Sequence, residues 1–195
     1  MYTIIEDEHV TRVPPQLLGE SFDQAVEDVA RDTLCGRILD MKDENNHITG
    51  KCYVISLIDV EPVGEASIVH GDGGVYQSIK YRALAYTPKM QEVVDALVIS
   101  VVPKLGVFLR FGPFEGLLHI SQIMDDRIDV DPSNQRLIGK ETGREIRTGD
   151  ILRVRIVLLN LSSSSVKDSK IGFTMKQIGL GKKEWIKLAK NKEEN

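Results

Sequence analysis

The sequence predicts an α+β N-terminal domain, in which a helix lies on an antiparallel sheet, followed by an all-β barrel of five strands. Three observations predict this fold class. One segment near the N-terminus has helical apolar spacing, the second half has short alternating strands with glycine turns, and Pro88 separates the two patterns. We therefore expect an N-terminal domain over 1–88, a barrel over 89–181 and a basic C-terminal tail over 182–195.

The helix of the N-terminal domain is predicted to start at Ser21. Ser21 and Gln24 have the spacing of a capping box, in which each side chain binds the backbone amide of the other residue. Apolar residues then recur at helical intervals until Gly36, so one face of the helix can lie on a sheet. The strands of that sheet are expected at 2–13, 37–41, 48–61, Ile68-Val69 and 75–86.

The two cysteines of the chain, Cys35 and Cys52, do not form a CxxC pair, so the sequence predicts no zinc site. A chain reversal at 43–46 would place them nearly opposite each other in a hairpin. We nevertheless expect free thiols, because the cytosol is reducing.

Composition and charge indicate a soluble protein whose second half would meet nucleic acid, if it binds any, although the net charge alone argues against binding driven mainly by phosphate. Of 195 residues, 42% are hydrophobic and 28% charged, and no apolar run approaches a membrane span of roughly 20 residues. The acidic N-terminus does not resemble a signal peptide, so we expect a cytoplasmic protein. The net charge is −4, with 8 basic and 15 acidic residues over 1–90 but 17 basic and 14 acidic over 91–195.

The second domain is predicted to contain five strands: Val93–Val102, Gly106–Phe111, Glu115–Ile120, Ile151–Asn160 and Ile171–Met175. Five short strands with glycine turns are typical of a barrel of the OB type. A polar segment of no clear periodicity, about Met124 to Asp150, separates the third strand from the fourth. Connections of that length are usually functional or mobile.

The most informative stretch is GVFLRFGPFEGLLHIS, residues 106–121, which predicts two strands around a Gly112-Pro113 turn. Alternation places Phe108 and Arg110 on one face of the first strand, and His119 on one face of the second. A barrel needs only one face for its core. The other face would then present an aromatic ring, a guanidinium and an imidazole, which suit stacking of an unpaired base and binding of its phosphate.

Basic residues of the last two strands extend this candidate face. The predicted RNA-binding residues are Phe108, Arg110, His119, Arg153, Arg155, Lys170 and Lys176. The alternative interpretation is an ordinary solvated barrel surface with one exposed aromatic ring.

The sequence contains no motif for catalysis, and we expect neither a metal nor a cofactor. HGDGG lacks the lysine and the following helix of a phosphate loop, and is typical of a hairpin turn. The acidic segment 125–131 lacks the glycine and glutamate of a calcium loop. HExxH and GxSxG sequences are also absent.

The segment from Glu92 to Lys176 resembles the RNA-binding domain first described in ribosomal protein S-one. The resemblance rests on residues 105–108, which match FG-x-F from its second position, and on GLLHIS, residues 116–121, which matches GLxHIS. It implies an OB-fold barrel whose RNA face includes Phe108 and His119.

Three positions depart from that family's pattern. Leu105 stands where a first stacking aromatic is usual, Asn160 occupies the usual aspartate region, and Lys170 stands where arginine is common. One lost stacking platform costs about 1–3 kcal/mol, and lysine lacks the guanidinium fork. We therefore expect weak RNA binding with little sequence preference.

The chain as a whole resembles a narrower family, the larger stalk subunit of archaeal DNA-directed RNA polymerase. The matching segments follow in order: MYTI, VPP, HGDGG, YTPKMQEVVDALV, GLLHISQIMDD, IGKETG and TMKQIGLGKKEW. The resemblance implies a non-catalytic subunit that forms a heterodimer with the smaller stalk subunit. It also implies docking on the polymerase core, binding of nascent single-stranded RNA, and support of transcription initiation and elongation.

In this family the N-terminal domain would be the tip domain that docks on the core. The predicted docking residues are Pro14, Pro15, Gly71, Asp72 and Gly73, because a stiff turn and a proline pair dock with little ordering entropy. The competing interpretation is a stand-alone RNA-binding translation factor or RNA-decay accessory factor built on the same barrel. An RNA-processing hydrolase is disfavoured, because the sequence lacks a cluster of metal-binding carboxylates.

Overall fold

The computed structural model describes residues 1–19, 21–42, 47–131, 135–163 and 165–193. The chain divides into two compact units, Met1–Thr87 and Pro88–Asn195. Within these described ranges, no helix is long and apolar enough to cross a membrane.

The first unit is a four-stranded antiparallel sheet with one helix, as predicted. Its elements in chain order are β1 (Tyr2–Val13), α1 (Phe22–Leu34), β2 (Ile38–Lys42), β3 (Ile48–Ile68) and β4 (Val75–Tyr86). The strand order is β1-β4-β3-β2. β1 pairs with β4 along its whole length, from Tyr2 opposite Tyr86 to Val13 opposite Val75.

Helix α1 buries the apolar face that its spacing predicts. The buried residues are Ala25, Val26, Ala30 and Leu34, which join a core with residues of β1, β3 and β4. The predicted capping box is wrong: in the described part of the chain, the Ser21 side chain makes no cap hydrogen bond, and only its carbonyl oxygen accepts from the Ala25 amide, at 3.0 Å. The helix is therefore held by burial, at about 1.5–3 kcal/mol for a buried Val or Leu side chain.

Strand β3 is longer than predicted, because it continues to Ile68 and includes part of the expected short strand at Ile68-Val69. Pro62 and Gly64 are signals for a strand end, but a register shift beyond Pro62 lets β3 continue beside β4. The HGDGG segment connects β3 to β4. The predicted turn at 43–46 lies outside the described residues.

Both cysteines are free, but they are not opposite each other. Cys52 in β3 lies opposite Leu39 of β2, whereas Cys35 follows helix α1. Burial, with the nearby charges of Asp7 and Asp40, raises the pKa of Cys52 from 9.0 to about 11. The Cys52 thiol is therefore protonated and unreactive at neutral pH.

The second unit contains nine strands and one helix among its described residues. In chain order they are β5 (Val93–Val102), β6 (Gly106–Phe111), β7 (Phe114–His119), β8 (Ile128–Asp131), β9 (Arg136–Gly139), β10 (Glu145–Arg147), β11 (Ile151–Asn160), β12 (Lys170–Thr174), β13 (Gly181–Lys182) and α2 (Lys183–Glu193).

Five of these strands close a barrel consistent with the OB type. Their order is β12-β7-β6-β5-β11, and β11 pairs back to β12. The β7–β12 pair is parallel and the others are antiparallel. The barrel interior is filled by buried apolar side chains: Val107, Leu109, Phe111, Leu118, Leu152, Val154, Ile156 and Phe173.

The segment between β7 and β11 is not the irregular connection that its polarity suggests. It contains a separate antiparallel sheet of order β10-β9-β8. These strands are only three or four residues long, and only β8 and β10 alternate apolar with charged residues. So short a run gives too little periodicity to predict.

The predicted basic tail forms β13 and helix α2 in its described part. The Trp185 ring lies against Gly181, where a Cβ would be 3.0 Å from Cε3 of the ring. The guanidinium of Arg144 lies 5.3 Å from the centre of that ring, close enough for a cation–π contact. Trp185 therefore anchors α2 to the segment that follows β9.

Candidate nucleic-acid interface

The hairpin of β6 and β7 sets the register of the candidate site. Phe108 lies opposite Leu117, and Arg110 lies opposite Glu115. His119 ends β7 and is exposed. Neighbours in register share a face of the sheet. Since Arg110, Glu115 and His119 are exposed, this face is the outside of the barrel.

Gly106 allows the start of β6 to approach the end of β7. Its φ is +136°, a conformation that L side chains rarely adopt. A Cβ on this residue would collide with the carbonyl oxygen of Leu118 and lie 2.8 Å from the amide nitrogen of Ile120. Glycine at this position therefore fixes the distance between the strands that carry Phe108 and His119.

An apolar strip crosses the outside of the barrel beside this hairpin. It consists of Phe108, Leu117 and Leu158, of which Phe108 and Leu117 are half-buried and Leu158 is 55% exposed. Gly172 of β12 lies in register between Leu117 and Leu158. Because Gly172 has no side chain, Leu158 can lie against β12, where a Cβ on Gly172 would be 3.1 Å from Cβ of Leu158.

His119 is held in one orientation by the turn that follows it. Its Nδ1 accepts the backbone N–H of Ser121 at 3.2 Å and lies 2.8 Å from the Ser121 hydroxyl oxygen. A neutral ring that accepts at Nδ1 carries its proton on Nε2. His119 can therefore donate a hydrogen bond from Nε2 to a phosphate or a base edge.

Two of the predicted arginines are paired with carboxylates across neighbouring strands. Arg110 donates from Nε and Nη2 to Oε1 of Glu115, at 3.0 and 2.6 Å. Arg153 donates from Nε and Nη2 to the two carboxylate oxygens of Asp95, at 2.8 and 3.2 Å. The hydrogen bond from Arg153 holds the pKa of Asp95 below its ordinary value, although burial opposes that shift.

The other predicted cations lie in three different settings. Lys170 is exposed on β12, opposite Asn160. Lys176 follows β12 and is paired with Asp125. Arg155 is half-buried, and its Nε, in the chain as described, is buried without a hydrogen-bond partner.

The structure thus brings together part of the predicted set. Phe108, Arg110, His119 and Lys170 belong to the adjacent strands β6, β7 and β12. Arg153 and Arg155 lie on β11 along its pairing with β5, where Arg153 is opposite Asp95 and Arg155 is opposite Val93.

Three features of this face were not predicted. The sequence pattern suggests that Leu158 points inward with Leu152, Val154 and Ile156, but a bulge between Ile156 and Leu158 turns it outward. The carboxylates Glu115 and Asp95 were missed because their pairing depends on cross-strand register. Of the two carboxylates, only Glu115 could have been found from the sequence. It lies across the hairpin turn from Arg110, and strand alternation places both residues on the same face.

The turn between β3 and β4, the predicted docking turn, is held by Asp72. Its carboxylate accepts from Arg12 Nε at 2.7 Å, from the Tyr76 hydroxyl at 2.7 Å and from the Gly74 amide at 3.1 Å. These bonds, the one from Arg12 foremost, hold the pKa of Asp72 well below its ordinary value. The turn is therefore braced by a network of charged hydrogen bonds.

The two predicted docking segments lie side by side. A Cβ on Gly73 would lie 3.7 Å from Cγ of Pro15, so turn and proline segment are in contact distance. Pro14 is extended, and Gly71 has a φ of +87°. Their role in docking remains a prediction.

No group of three or more His, Cys, Asp or Glu side chains that could hold a metal occurs among the residues that the structure describes. The chemistry available on this face is stacking on the apolar strip together with hydrogen bonding and charge from His119, Lys170 and the paired arginines. Such a combination suits a single-stranded nucleic acid.

Comparison with known proteins agrees with this chemistry. The S1 RNA binding domain family matches residues 87–165, which include the β6–β7 hairpin. The chain is 34% identical over 186 residues to DNA-directed RNA polymerase subunit Rpo7 of Sulfolobus acidocaldarius, which covers 95% of each protein. It is 33% identical over 190 residues to subunit Rpo7 of Saccharolobus shibatae, covering 97% of this chain and 99% of that one. Similarity to ribonuclease R of Vibrio parahaemolyticus, at 34% over 87 residues, covers 44% of this chain and 10% of that protein.

Residues 87–165 match the S1 RNA binding domain family, and the barrel of the second unit is consistent with that class of domain. The similarity to the two Rpo7 proteins extends far beyond that unit, along at least 95% of the chain. The chain belongs to the Rpo7 family of DNA-directed RNA polymerase subunits.

Proposed function

We propose that this chain is the larger stalk subunit of its RNA polymerase and carries no catalytic residues of its own. The observation that carries the proposal is similarity to Rpo7 proteins along at least 95% of the chain, which includes both units. Similarity to ribonuclease R covers only 44% of the chain. A stand-alone RNA-decay factor would leave more than half of the chain without an explanation.

The S1-type domain binds nascent single-stranded RNA through the face built by β6, β7 and β12. A base stacks on Phe108 and the neighbouring Leu117, while His119 and Lys170 meet the backbone. Stacking on an aromatic ring contributes about 1–3 kcal/mol per base and tolerates any sequence. Leu105, which is 37% exposed, offers no second ring at the adjoining position, which supports weak binding.

The first unit binds the polymerase core and the smaller stalk subunit. The support for docking through the β3–β4 turn is its rigidity, since Asp72 is fixed by three donors and Pro15 lies against Gly73. A segment that is already ordered loses little entropy when it docks. The assembly works in the cytoplasm, where the transcript emerges.

The RNA face is tested by the double variant Phe108→Ala, His119→Ala. We expect its dissociation constant for labelled single-stranded RNA to rise about fivefold or more, because one stacking platform and one donor are lost. Fluorescence anisotropy measures this, and circular dichroism checks that the barrel remains folded. Ile178→Ala is the matched surface control, since Ile178 is 93% exposed and lies outside the strands. Unchanged binding by the double variant would remove this face from the proposal.

A further inference from the structure

Three cations that the sequence predicts to bind RNA are already paired with carboxylates of the same domain, and one of them, Arg110, lies on the proposed RNA face. Arg110 makes two hydrogen bonds to Glu115, at 3.0 and 2.6 Å, and Arg153 makes two to Asp95, at 2.8 and 3.2 Å. Lys176 is bonded to Asp125. All three pairs are at the surface, so solvent and RNA can reach them.

Such pairing changes what a phosphate gains by binding. RNA binding is driven largely by release of counterions when a cation neutralises a phosphate. A guanidinium that is hydrogen-bonded to a carboxylate must first give up that partner, and the carboxylate then repels the RNA. Each pair therefore lowers both the affinity for RNA and its dependence on salt.

We propose that Glu115 and Asp95 are intramolecular competitors of RNA phosphate, and that Glu115 in particular sets the affinity of this face. The inference rests on the proposed RNA-binding function and names the residues that regulate it. It assigns a role to two acidic residues on a surface otherwise built to attract anions.

Glu115 is expected to affect the affinity for RNA more than Asp95 does, because of its position. It is on the same face as Phe108, two residues from Leu117 of the apolar strip. On its other side runs β12, where Gly172 is in register with Leu117. Lys170 lies two residues before Gly172, and Glu115 lies two residues before Leu117. Glu115 is therefore on β7, between β6, which carries Arg110, and β12, which carries Lys170. RNA that stacks on Phe108 and also reaches Lys170 would therefore run close to this carboxylate.

The consequence is a face that holds RNA loosely. A phosphate that competes with a neighbouring carboxylate is released more readily, because the cation regains its carboxylate partner when the phosphate leaves. Stacking on the strip then determines where the strand lies, and the ion pairs let it move. This arrangement fits a transcript that slides past the domain.

The test measures binding of the full-length chain to a fluorescein-labelled single-stranded RNA of mixed sequence over a series of salt concentrations. The variants are Glu115→Gln, Asp95→Asn, Arg110→Gln and the double variant Arg110→Gln, Glu115→Gln. The matched control is Asp129→Asn, which removes a carboxylate from another surface ion pair, Asp129–Lys140 at 3.0 Å, whose aspartate lies on β8, outside the barrel strands. Circular dichroism checks the fold of every variant.

We expect Glu115→Gln to tighten binding about two- to fivefold, the range set by exposed ion pairs, and Asp95→Asn to tighten it less. The slope of log K against log salt should steepen by up to about 0.7 for each cation released to a phosphate. Asp129→Asn should show neither effect, and Glu115→Gln should gain much less in the Arg110→Gln background.

An equal gain from Glu115→Gln and Asp129→Asn, or a gain that persists without Arg110, would overturn the proposal, because net charge alone would explain it. The broader RNA-binding proposal fails separately, if Phe108→Ala with His119→Ala leaves binding unchanged. Absence of RNA binding by the wild-type chain and by every variant would overturn both.

Discussion

Gly106 is the single residue on which the geometry of the RNA face depends most. It combines a φ of +136° with a backbone approach that leaves no room for a Cβ. Any side chain there must either strain the backbone further or push β7 away, and His119 ends that strand. The two effects can be separated, because Gly143 also has a positive φ, +63°, but has nothing within 4 Å of its Cβ position.

Gly106→Ala should therefore reduce the free energy of unfolding by about 3 kcal/mol or more, through strain and collision together. Gly143→Ala should cost only about 1 kcal/mol, from strain alone. Urea unfolding followed by circular dichroism measures both. Equal losses in the two variants would show that the close approach at Gly106 contributes nothing.

Individual site residues were predictable only where strand alternation is unbroken. Phe108, Arg110 and His119 come from the regular β6–β7 hairpin, and the structure places all three where alternation puts them. Leu158 could not be placed, because a bulge reverses the faces of β11 beyond Ile156. The carboxylate partners of the arginines could not be found either, because the spatial neighbours of a strand residue are set by register.

At the scale of elements, the inserted sheet of β8, β9 and β10 is held next to Asp126. The carboxylate accepts the Thr142 amide at 3.0 Å, the Glu141 amide at 3.2 Å and the Thr142 hydroxyl at 2.8 Å. Gly139 is needed beside it, since a Cβ there would collide with the same carboxylate. The IGKETG segment is thus held by its hydrogen bonds to the carboxylate of Asp126.

Asp126→Asn should loosen this loop, because an amide accepts fewer and weaker hydrogen bonds than a carboxylate. We expect hydrogen exchange of the Glu141 and Thr142 amides to accelerate roughly tenfold. Asp129→Asn is the control, since it breaks only an exposed ion pair and should leave these amides unchanged. Equal exchange in Asp126→Asn and the wild type would refute the role of Asp126.

The hydrogen bonds between Asp126 and the loop also predict how protection of the loop amides changes with pH. Hydrogen bonds from Thr142 above all lower the pKa of Asp126 below its ordinary value of 3.8. A lowered pKa in the folded state means that the carboxylate's contribution is fully present above pH 3.8 and is lost as the pH falls through the lower folded-state value. The protection factors of the loop amides, which correct for the pH dependence of intrinsic exchange, should therefore fall in the wild type only below about pH 4, whereas in Asp126→Asn this fall should be absent.

Elements were predictable in proportion to their length and regularity. The bounds of β1, β5, β6 and β11 are those that the sequence predicts, and β7 and β12 differ by one residue. The inserted sheet escaped prediction because its strands are short and charged. The continuation of β3 escaped it because Pro62 and Gly64 usually mark the end of a strand, and only pairing with β4 shows that it continues.

At the scale of the whole molecule, the two units differ in charge as they differ in fold. The first 90 residues carry 15 acidic and 8 basic side chains, whereas residues 91–195 carry 14 acidic and 17 basic ones. This difference in charge agrees with the proposal that the acidic unit docks on protein and the more basic unit binds RNA. Similarity to Rpo7 proteins across both units agrees with it as well.

Affinity purification from the native host tests whether this chain is part of an assembled polymerase. The chain is tagged at its C-terminus, purified under gentle conditions, and its companions are identified by mass spectrometry. We expect recovery of the large polymerase subunits together with one small partner. Recovery of ribosomal or RNA-decay proteins without polymerase would contradict this claim and leave only the RNA-binding barrel.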